Sequence, residues 1–484
     1  VTGTRLQASP PRPVGGGEPE PVEYLLLSDV HLTQVLESPI RGWWAYKDPR
    51  ARQDMELVAL LEQVQAMRPR HFTRTDVIFG GDTWDFDSVY GGPEHPMLPS
   101  EGLPPTVAGS VWKLRRLLED HAAFVAGLAR FLADGNRVIF LMGNHDRELA
   151  FEEVAEVLRG TVAAAAPPGK SRAVAAAVSF EPWFVYIPGV LYAEHGQQYD
   201  STCSYRDVLS PFVPAHRRAP RELEASMGSL MGRHVLSSLG SFNPFDDDSF
   251  LKSLSGYAKH AFEHYWPRRR FLSIYVGRSV RVVRLLRRQR RRVLASRPDH
   301  ASLYASYACA KHVGVDFIAL LRRLGSVPIS DRPRHLFHEL WLDRLITTAL
   351  AILIVTAGIL NAETWAQGVL MLGLIPPAVF VLRAMGRGSL ALQERGRWGL
   401  VAEQISSHLQ VPIVCFGHSH RPERRPLRNG GRYYNLGTWA PVADVTEQQA
   451  LMRARRYLIV RHVGPGRTHV AFQRWRGDGP HANW

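Results

Sequence analysis

One motif returns five times in this chain and restricts its fold more than anything else: a short apolar run that stops abruptly in a loop of Asp, His, Asn and Gly. The segments are YLLLSDVHL (24–32), DVIFGGDTWD (76–85), RVIFLMGNHD (137–146), VLYAEHG (190–196) and PIVCFGHSH (412–420). Short uninterrupted apolar runs of this kind read as strands covered on both faces. Between the second and third, Val111 to Leu132 carries apolar residues at spacings of three and four, which predicts a helix. Strands alternating with helices indicate an α/β or α+β layered domain. At 484 residues with 45% hydrophobic composition the chain can bury a large core unaided. Its three cysteines, Cys203, Cys309 and Cys415, are odd in number and unpatterned, so neither a disulfide framework nor a cysteine zinc site is expected and a reducing compartment is.

The series is interrupted once. Some two hundred residues separate the fourth segment from the fifth, and this gap reads as an insert. The net charge of +14 is concentrated there: Ser201 to Arg344 holds 25 Lys/Arg against 12 Asp/Glu, and the remainder of the chain is near neutral with 34 against 33. Eleven arginines fall between Arg268 and Arg292 with no acidic residue among them. As a helix, this stretch gathers Val276, Val280, Val283, Leu286, Val293 and Leu294 on one side and Arg278, Arg281, Arg284, Arg288, Arg291 and Arg292 opposite, while Leu285, Arg287 and Arg290 blur the division. An anionic bilayer surface, packing against the insert, and nucleic acid are its three possible uses; nucleic acid is the least expected, because interleaved aromatics and any recognisable nucleic-acid module are lacking.

Two apolar runs close the insert. Leu345 to Ala362 is 18 residues without a charge, Thr364 to Leu382 is 19, and Glu363 alone separates them. A membrane span needs about 20 apolar residues, so a transmembrane helical hairpin is expected. Arg332, Arg334 and Arg344 precede it, Arg383 and Arg387 follow it, and the NAETWAQ connection has no basic residue, which puts both flanks and the rest of the chain on the cytoplasmic side of an inner or plasma membrane. The Pro376-Pro377 pair and the slightly short runs leave open a hairpin buried in a soluble domain or oligomer interface, or one that enters the bilayer without crossing. The expected organisation is a flexible tail (1–21) with no signal-peptide pattern, a first part of the layered domain (22–200), a basic insert (201–340), the hairpin (341–384), a second part of the layered domain (385–478) and a short tail (479–484).

The five segment ends carry side chains suited to metal ions: Asp29 and His31; Asp82 and Asp85; Asn144, His145 and Asp146; His195; His418 and His420. If the strands run that far, Asp29 and His31, and likewise His418 and His420, project to one side. Carboxylate, imidazole and amide oxygen together suit Mn, Fe, Zn or Co. The glycines of GGD, GN and GH allow the loops to approach closely. Trp84, Phe86 and Trp439 are candidates for a substrate cleft or for the core. Asp146 and Arg147 read as loop salt bridges, and His71, His121, His260 and His264 as histidines without a site role.

The ordered set D-x-H, GD-x-x-D, GNHD, a lone His after an apolar strand, and GH-x-H resembles the calcineurin-like metallophosphoesterase family, over about Val22–Asp200 and Gly399–Trp475. The resemblance implies a β-sandwich flanked by helices with two divalent ions at one edge, Mn²⁺ foremost. One ion would be held by Asp29, His31 and His420, the other by Asn144, His195 and His418, with Asp82 between them. It further implies that an ion-activated water attacks phosphorus, that His145 is the general acid for the leaving oxygen, and that Asp85 orients His145. Phosphoprotein phosphatases of this superfamily carry Arg where Phe86 stands and Glu where Asp146 stands. The GD-x-x-D-F, EHG and NLGTW segments are closer to the UDP-2,3-diacylglucosamine hydrolase branch, whose members place Arg at the position of His145. The expected activity is therefore hydrolysis of a phosphoester or pyrophosphate, lipid-linked and delivered at the bilayer. A soluble nucleotide-type substrate and a non-catalytic membrane scaffold are the alternatives.

Overall fold

The computed structural model describes residues 21–36, 53–89, 103–213, 220–236, 271–296, 300–385, 390–440, 455–464, 467–475 and 480–481. The expected tail at 1–20, the acidic run Asp246–Asp248, His260, His264, Arg268–Arg270, Arg387 and the last three residues lie outside the described residues.

Five of the strands are the five apolar segments: β1 (Val22–Leu27), β2 (Arg74–Phe79), β3 (Arg137–Leu141), β6 (Leu191–Glu194) and β9 (Ile413–Phe416). The others are β4 (Val178–Glu181), β5 (Phe184–Ile187), the short pair β7 (Phe212–Val213) and β8 (Glu222–Leu223), β10 (Glu423–Pro426), β11 (Arg432–Asn435), β12 (Arg456–His462), β13 (Thr468–Trp475) and β14 (Pro480–His481). They form a seven-stranded sheet in the order β14-β13-β12-β1-β2-β3-β4 and a five-stranded sheet in the order β10-β11-β9-β6-β5. β1 to β4 run parallel in the first sheet, and β6, β9 and β11 run parallel in the second.

Strict alternation along these strands builds the layers. Leu26, Ile78, Ile139, Leu141 and Leu458 pack against Leu191, Ala193, Ile413, Cys415 and Tyr434, so the two sheets lie face to face. Their neighbours Leu25, Leu27, Val77, Phe79, Val138 and Phe140 turn the other way, onto helices α1 (Asp54–Met67), α2 (Val107–Asp120), α3 (Ala122–Ala133) and α4 (Glu152–Ala164). On the second sheet Tyr192, Val414, Phe416 and Tyr433 meet Tyr304, Tyr307, Phe317, Ile318 and Leu321 of helices Ala301–Ala310 and Val315–Leu324, together with Trp398, Val401 and Ile405 of Trp398–Leu409. The result is a mixed α/β sandwich with helices on both outer faces. Part of the insert is thus built into it, because residues 301–324 supply most of one helical layer.

The helix expected over Val111–Leu132 is two helices, broken at His121 (φ −115°, ψ 33°). There the imidazole contacts Asp54 Oδ1 at 2.6 Å and the Thr33 carbonyl at 2.8 Å, a tertiary bridge that apolar spacing does not reveal.

The arginine-rich stretch is a helix over Phe271–Ser296. Val282, Val283 and Leu286 are buried with Ala225, Leu230, Ile329, Leu336, Leu340 and Leu342, so the insert itself covers the middle of the helix; of the expected apolar side Val283 and Leu286 are buried, Val276, Val280 and Val293 half-buried, and Leu294 exposed. Arg290 pairs with Asp331 at 2.7 Å and Arg292 with Glu222 at 3.2 Å, while Arg284, Arg287, Arg288 and Arg291 are exposed. The hairpin comprises Leu342–Leu360, then Trp365–Leu372 and Ile375–Met385. Leu342–Leu360 and Trp365–Leu382 are long and apolar enough to cross a membrane, with mean hydropathy 1.8 each. A Cβ on Gly358 would lie 2.4 Å from Met371 Sδ, so the two helices approach closely there. Most of their remaining surface is exposed, with Trp365 at 84%, Leu360 at 79% and Phe380 at 71%, and beyond the Leu342 end little of the hairpin is buried among the described residues.

Candidate metal centre

The ends of β1, β2, β3, β6 and β9 meet at one edge of the sandwich. The loops after β1 and β2 stay zipped together by backbone bonds from Asp29 N–H to the Gly81 carbonyl (3.1 Å), His31 N–H to Asp82 (2.9 Å) and Asp85 N–H to Leu32 (2.9 Å). Gly417 N–H bonds the His195 carbonyl and Trp439 N–H the Asp29 carbonyl, which ties in the second sheet. Glycine is obligatory at two of these crossings. A Cβ on Gly143 would fall 2.2 Å from Asp82 Oδ1, and one on Gly417 2.4 Å from Asp29 Oδ2.

Asp29 with His31, and His418 with His420, do converge as the sequence implies, but not by strand alternation. β1 ends at Leu27 and β9 at Phe416, before either pair. Instead Asp29, His31, Asp82, His418 and His420 all have positive φ, between 50° and 63°, and they are five of the eight described non-glycine residues that do. This left-handed conformation is unfavourable for side chains other than glycine and, when clustered, marks sites that the surrounding fold holds in place.

His420 Nε2 lies 3.2 Å from Asp29 Oδ1 and 3.1 Å from His31 Nε2, and His31 Nε2 is 3.9 Å from Asp82 Oδ2. His195 Nε2 lies 3.1 Å from Asp82 Oδ2 and 3.3 Å from Asn144 Oδ1. His418, whose backbone N–H donates to Asp29, is grouped with Asp82 and His195, their rings 5.1 Å apart for the two histidines. All seven sequence-derived ligand candidates therefore share one edge. The groups Asp29–His31–His420, His31–Asp82–His145 and Asp82–His195–His418 can each hold a metal ion.

The donors fit such an ion in their orientation as well as their type. The His195 Nδ1–H donates to the Gly80 carbonyl at 2.9 Å, and His31 Nδ1 faces Asp85 Oδ2 at 3.6 Å, so in both rings Nε2 is left facing the carboxylates. Ligating histidines are typically held through the other ring nitrogen in this way. Burial would push the Asp82 and Asp29 carboxyls up, but His195 and the surrounding imidazoles hold both below the usual range. Burial pulls His31 down, whereas His195, against Asp82 and Asp29, is carried up to about 9.

His145 sits at the mouth, its side chain 17% exposed while His31, Asp82, Asp85 and His195 are essentially inaccessible. Its backbone N–H donates to Asp82 Oδ1 at 2.7 Å, and its Nδ1 faces Asp85 Oδ1 at 3.3 Å. Burial opposes charge on this ring, but Asp85 and Asp82 outweigh it and take the imidazole up to about 10. Asp85 is anchored in turn by Ser88, through its N–H and its hydroxyl.

Two carboxylates escape a reading of the sequence. Asp87 Oδ2 lies 3.7 Å from His145 Nδ1 and 3.2 Å from the Arg147 guanidinium, and its only sequence signal is its place two residues after Asp85. Asp200 Oδ2 lies 3.2 Å from His418 Nε2 and carries no motif. Arg147 is the loop salt bridge expected of it. Asp146 is not: it accepts the Gly143 and Thr83 N–H groups at 2.6 and 2.8 Å, clamping one loop to the other, and burial beside Asp82 raises it to about 7. Trp84, Phe86 and Trp439 are wholly buried and belong to the core, so the cleft option for them is withdrawn. No family model matches this chain, and no curated protein matches its sequence.

Proposed function

We propose that this chain is a metal-dependent phosphoesterase of the calcineurin-like metallophosphoesterase type, anchored to a membrane by its hairpin with the sandwich on the cytoplasmic side, and acting on a lipid-linked phosphoester or pyrophosphate. The observation that carries the reading is the orientation of the ligand set: His195 is held through Nδ1 by the Gly80 carbonyl, His31 turns Nδ1 to the side of Asp85, and both turn Nε2 toward Asp82, with Asp29, Asn144, His418 and His420 around them. Asp29, His31 and His420 would hold one divalent ion, Asn144, His195 and His418 a second, and Asp82 would be shared. Two such ions, when bound, supply charge neutralisation and an activated water for in-line attack on phosphorus.

The chain's own part is to bind, orient and move protons. Asp85 lies between His31 and His145, 3.6 Å from one Nδ1 and 3.3 Å from the other, where its charge bears on both rings. With its Nδ1 toward Asp85, His145 has Nε2 left to protonate the leaving oxygen. The bare apolar hairpin supports a bilayer-borne substrate, and its proximity to the site supports it further. The Glu394 carboxylate, just beyond the hairpin, accepts the Ser201 N–H at 2.7 Å, and the Trp398 ring lies 5.8 Å from that of His418. These contacts beyond the hairpin support head groups over diffusing nucleotides as the substrate.

The test is a substrate panel on the purified full chain with Mn²⁺: a monoester, a diester, a nucleotide pyrophosphate, and a lipid pyrophosphate in vesicles. Metal-dependent turnover greatest on the lipid is expected. Turnover confined to the nucleotide would remove the lipid, and no turnover with bound metal would remove the enzyme.

A further inference from the structure

Among the described residues, several bonds from the insert and from the exit side of the hairpin converge on Gln197 to Ser201, a segment that begins two residues beyond His195. Ser326 N–H donates to the Gln198 carbonyl (2.7 Å) and its hydroxyl to the Tyr199 carbonyl (3.0 Å), Ile329 N–H donates to the Ser201 carbonyl (2.8 Å), and Ser201 N–H donates to Glu394 (2.7 Å). Glu394 is buried, and it lies on the exit side of the hairpin, whose two flanks are joined where Leu390 N–H meets Glu339. In the middle of this segment Asp200, itself buried, divides its oxygens. Oδ1 takes the Thr202 N–H (2.8 Å) and hydroxyl (2.6 Å), which fixes the carboxylate to its own loop, while Oδ2 faces His418 Nε2.

We propose that Asp200 is the positioning residue for His418. Its carboxylate accepts the Nε2–H, so that Nδ1 is the nitrogen offered to the metal, and Glu394 at the hairpin foot keeps Asp200 in place. This rests on the metal-centre reading above. His195 is oriented through Nδ1 by a carbonyl, and His31 turns Nδ1 to the side of Asp85; His418 is held through the opposite nitrogen, by a group whose neighbour Ser201 is bonded to Glu394 beyond the hairpin. Removing such an orienting partner typically weakens a metal site about 10–100-fold.

The experiment is Co²⁺ titration of the full chain in detergent or nanodiscs, followed by calorimetry and by the visible spectrum of the bound ion. Wild type should take up two equivalents; a wild type that binds no Co²⁺ overturns the metal reading and this proposal with it. In Asp200→Ala one equivalent should weaken about 10–100-fold with the other unchanged. Asp200→Asn, which keeps an acceptor, should recover most of the affinity. Thr202→Val removes only the loop bond and should bind nearly as wild type, which separates the role from general loop damage. Glu394→Ala should weaken the same equivalent by less than Asp200→Ala. Wild-type affinity in Asp200→Ala overturns the proposal. So does complete loss of one equivalent in Asp200→Asn, or a sulfur-to-cobalt charge-transfer band lost in Cys203→Ser, because either makes the Asp200–Cys203–His418 group a ligand set in its own right.

Discussion

The candidate metal edge and the hairpin break opposite rules of a water-soluble fold. At the edge, five carboxyl or imidazole residues in left-handed backbone and several buried acids crowd a space where apolar packing would be more stable. In the hairpin, side chains that belong in a core stand bare. Each violation has its own chemistry: the first gathers side chains that could hold cations, and the second presents helices long and apolar enough to cross a membrane. Beyond the hairpin, Glu394 accepts the Ser201 N–H and the Trp398 ring lies 5.8 Å from that of His418, so the chain that leaves the hairpin runs beside the edge.

The sharpest way to break this pairing is Asp82→Asn. The carboxylate shared by both halves of the edge becomes an amide, and several kcal/mol of charge stabilisation go with it, a fall of about 10³-fold or more in metal-dependent turnover. Robust activity in this variant would leave the edge without its cations and the comparison without one side. His145→Ala comes next, with a loss of about 10²–10⁴-fold on an unactivated phosphoester. On a p-nitrophenyl ester, whose leaving group needs no proton, the loss should be much smaller; equal losses on both would show that His145 is not the acid.

The hairpin is tested by Leu353→Arg, in the middle of Leu342–Leu360. A charge at the centre of a span costs about 2.5–3.5 kcal/mol, so vesicle co-sedimentation should weaken about 100-fold while turnover of a soluble ester is kept. Unchanged co-sedimentation would mean that this helix does not enter hydrocarbon, and the bare surface would then need a protein partner instead.

Much of both regions was legible in the sequence, for different reasons. The apolar runs are continuous, so length and composition alone delimit the hairpin helices to within a few residues. The edge was legible because ligand-type residues recur at the ends of buried strands, and all seven candidates share it. What stayed hidden is tertiary. That Asp29 and His31 converge through left-handed backbone rather than through strand alternation depends on loops zipped across β1 and β2. Asp87 and Asp200 are single acids whose partners, Arg147 and His418, lie 60 and 218 residues away. Strands such as β5 and β11 carry aromatic residues whose pairing only the second sheet makes plain. The arginine-rich helix has an apolar face, but nothing in its own sequence says that the insert, rather than lipid, covers its middle.

The smallest effect isolates the strain at the edge from its chemistry. At an ordinary helical position alanine is more stable than glycine by about 1 kcal/mol. At His420, where φ is 57°, the order should reverse. Both His420→Gly and His420→Ala remove the imidazole, but only glycine relieves the left-handed backbone, so without added metal the glycine variant should be the more stable by about 1 kcal/mol. Val401→Ala and Val401→Gly, in the helix Trp398–Leu409, provide the control with the usual order. If alanine is favoured at both positions, the backbone at His420 relaxes once the ring is gone, and the ring's contacts to Asp29 and His31, rather than the surrounding fold, hold that conformation. If glycine is favoured at His420 alone, the surrounding fold imposes the strain without any ion, and the arrangement of the edge is built in advance.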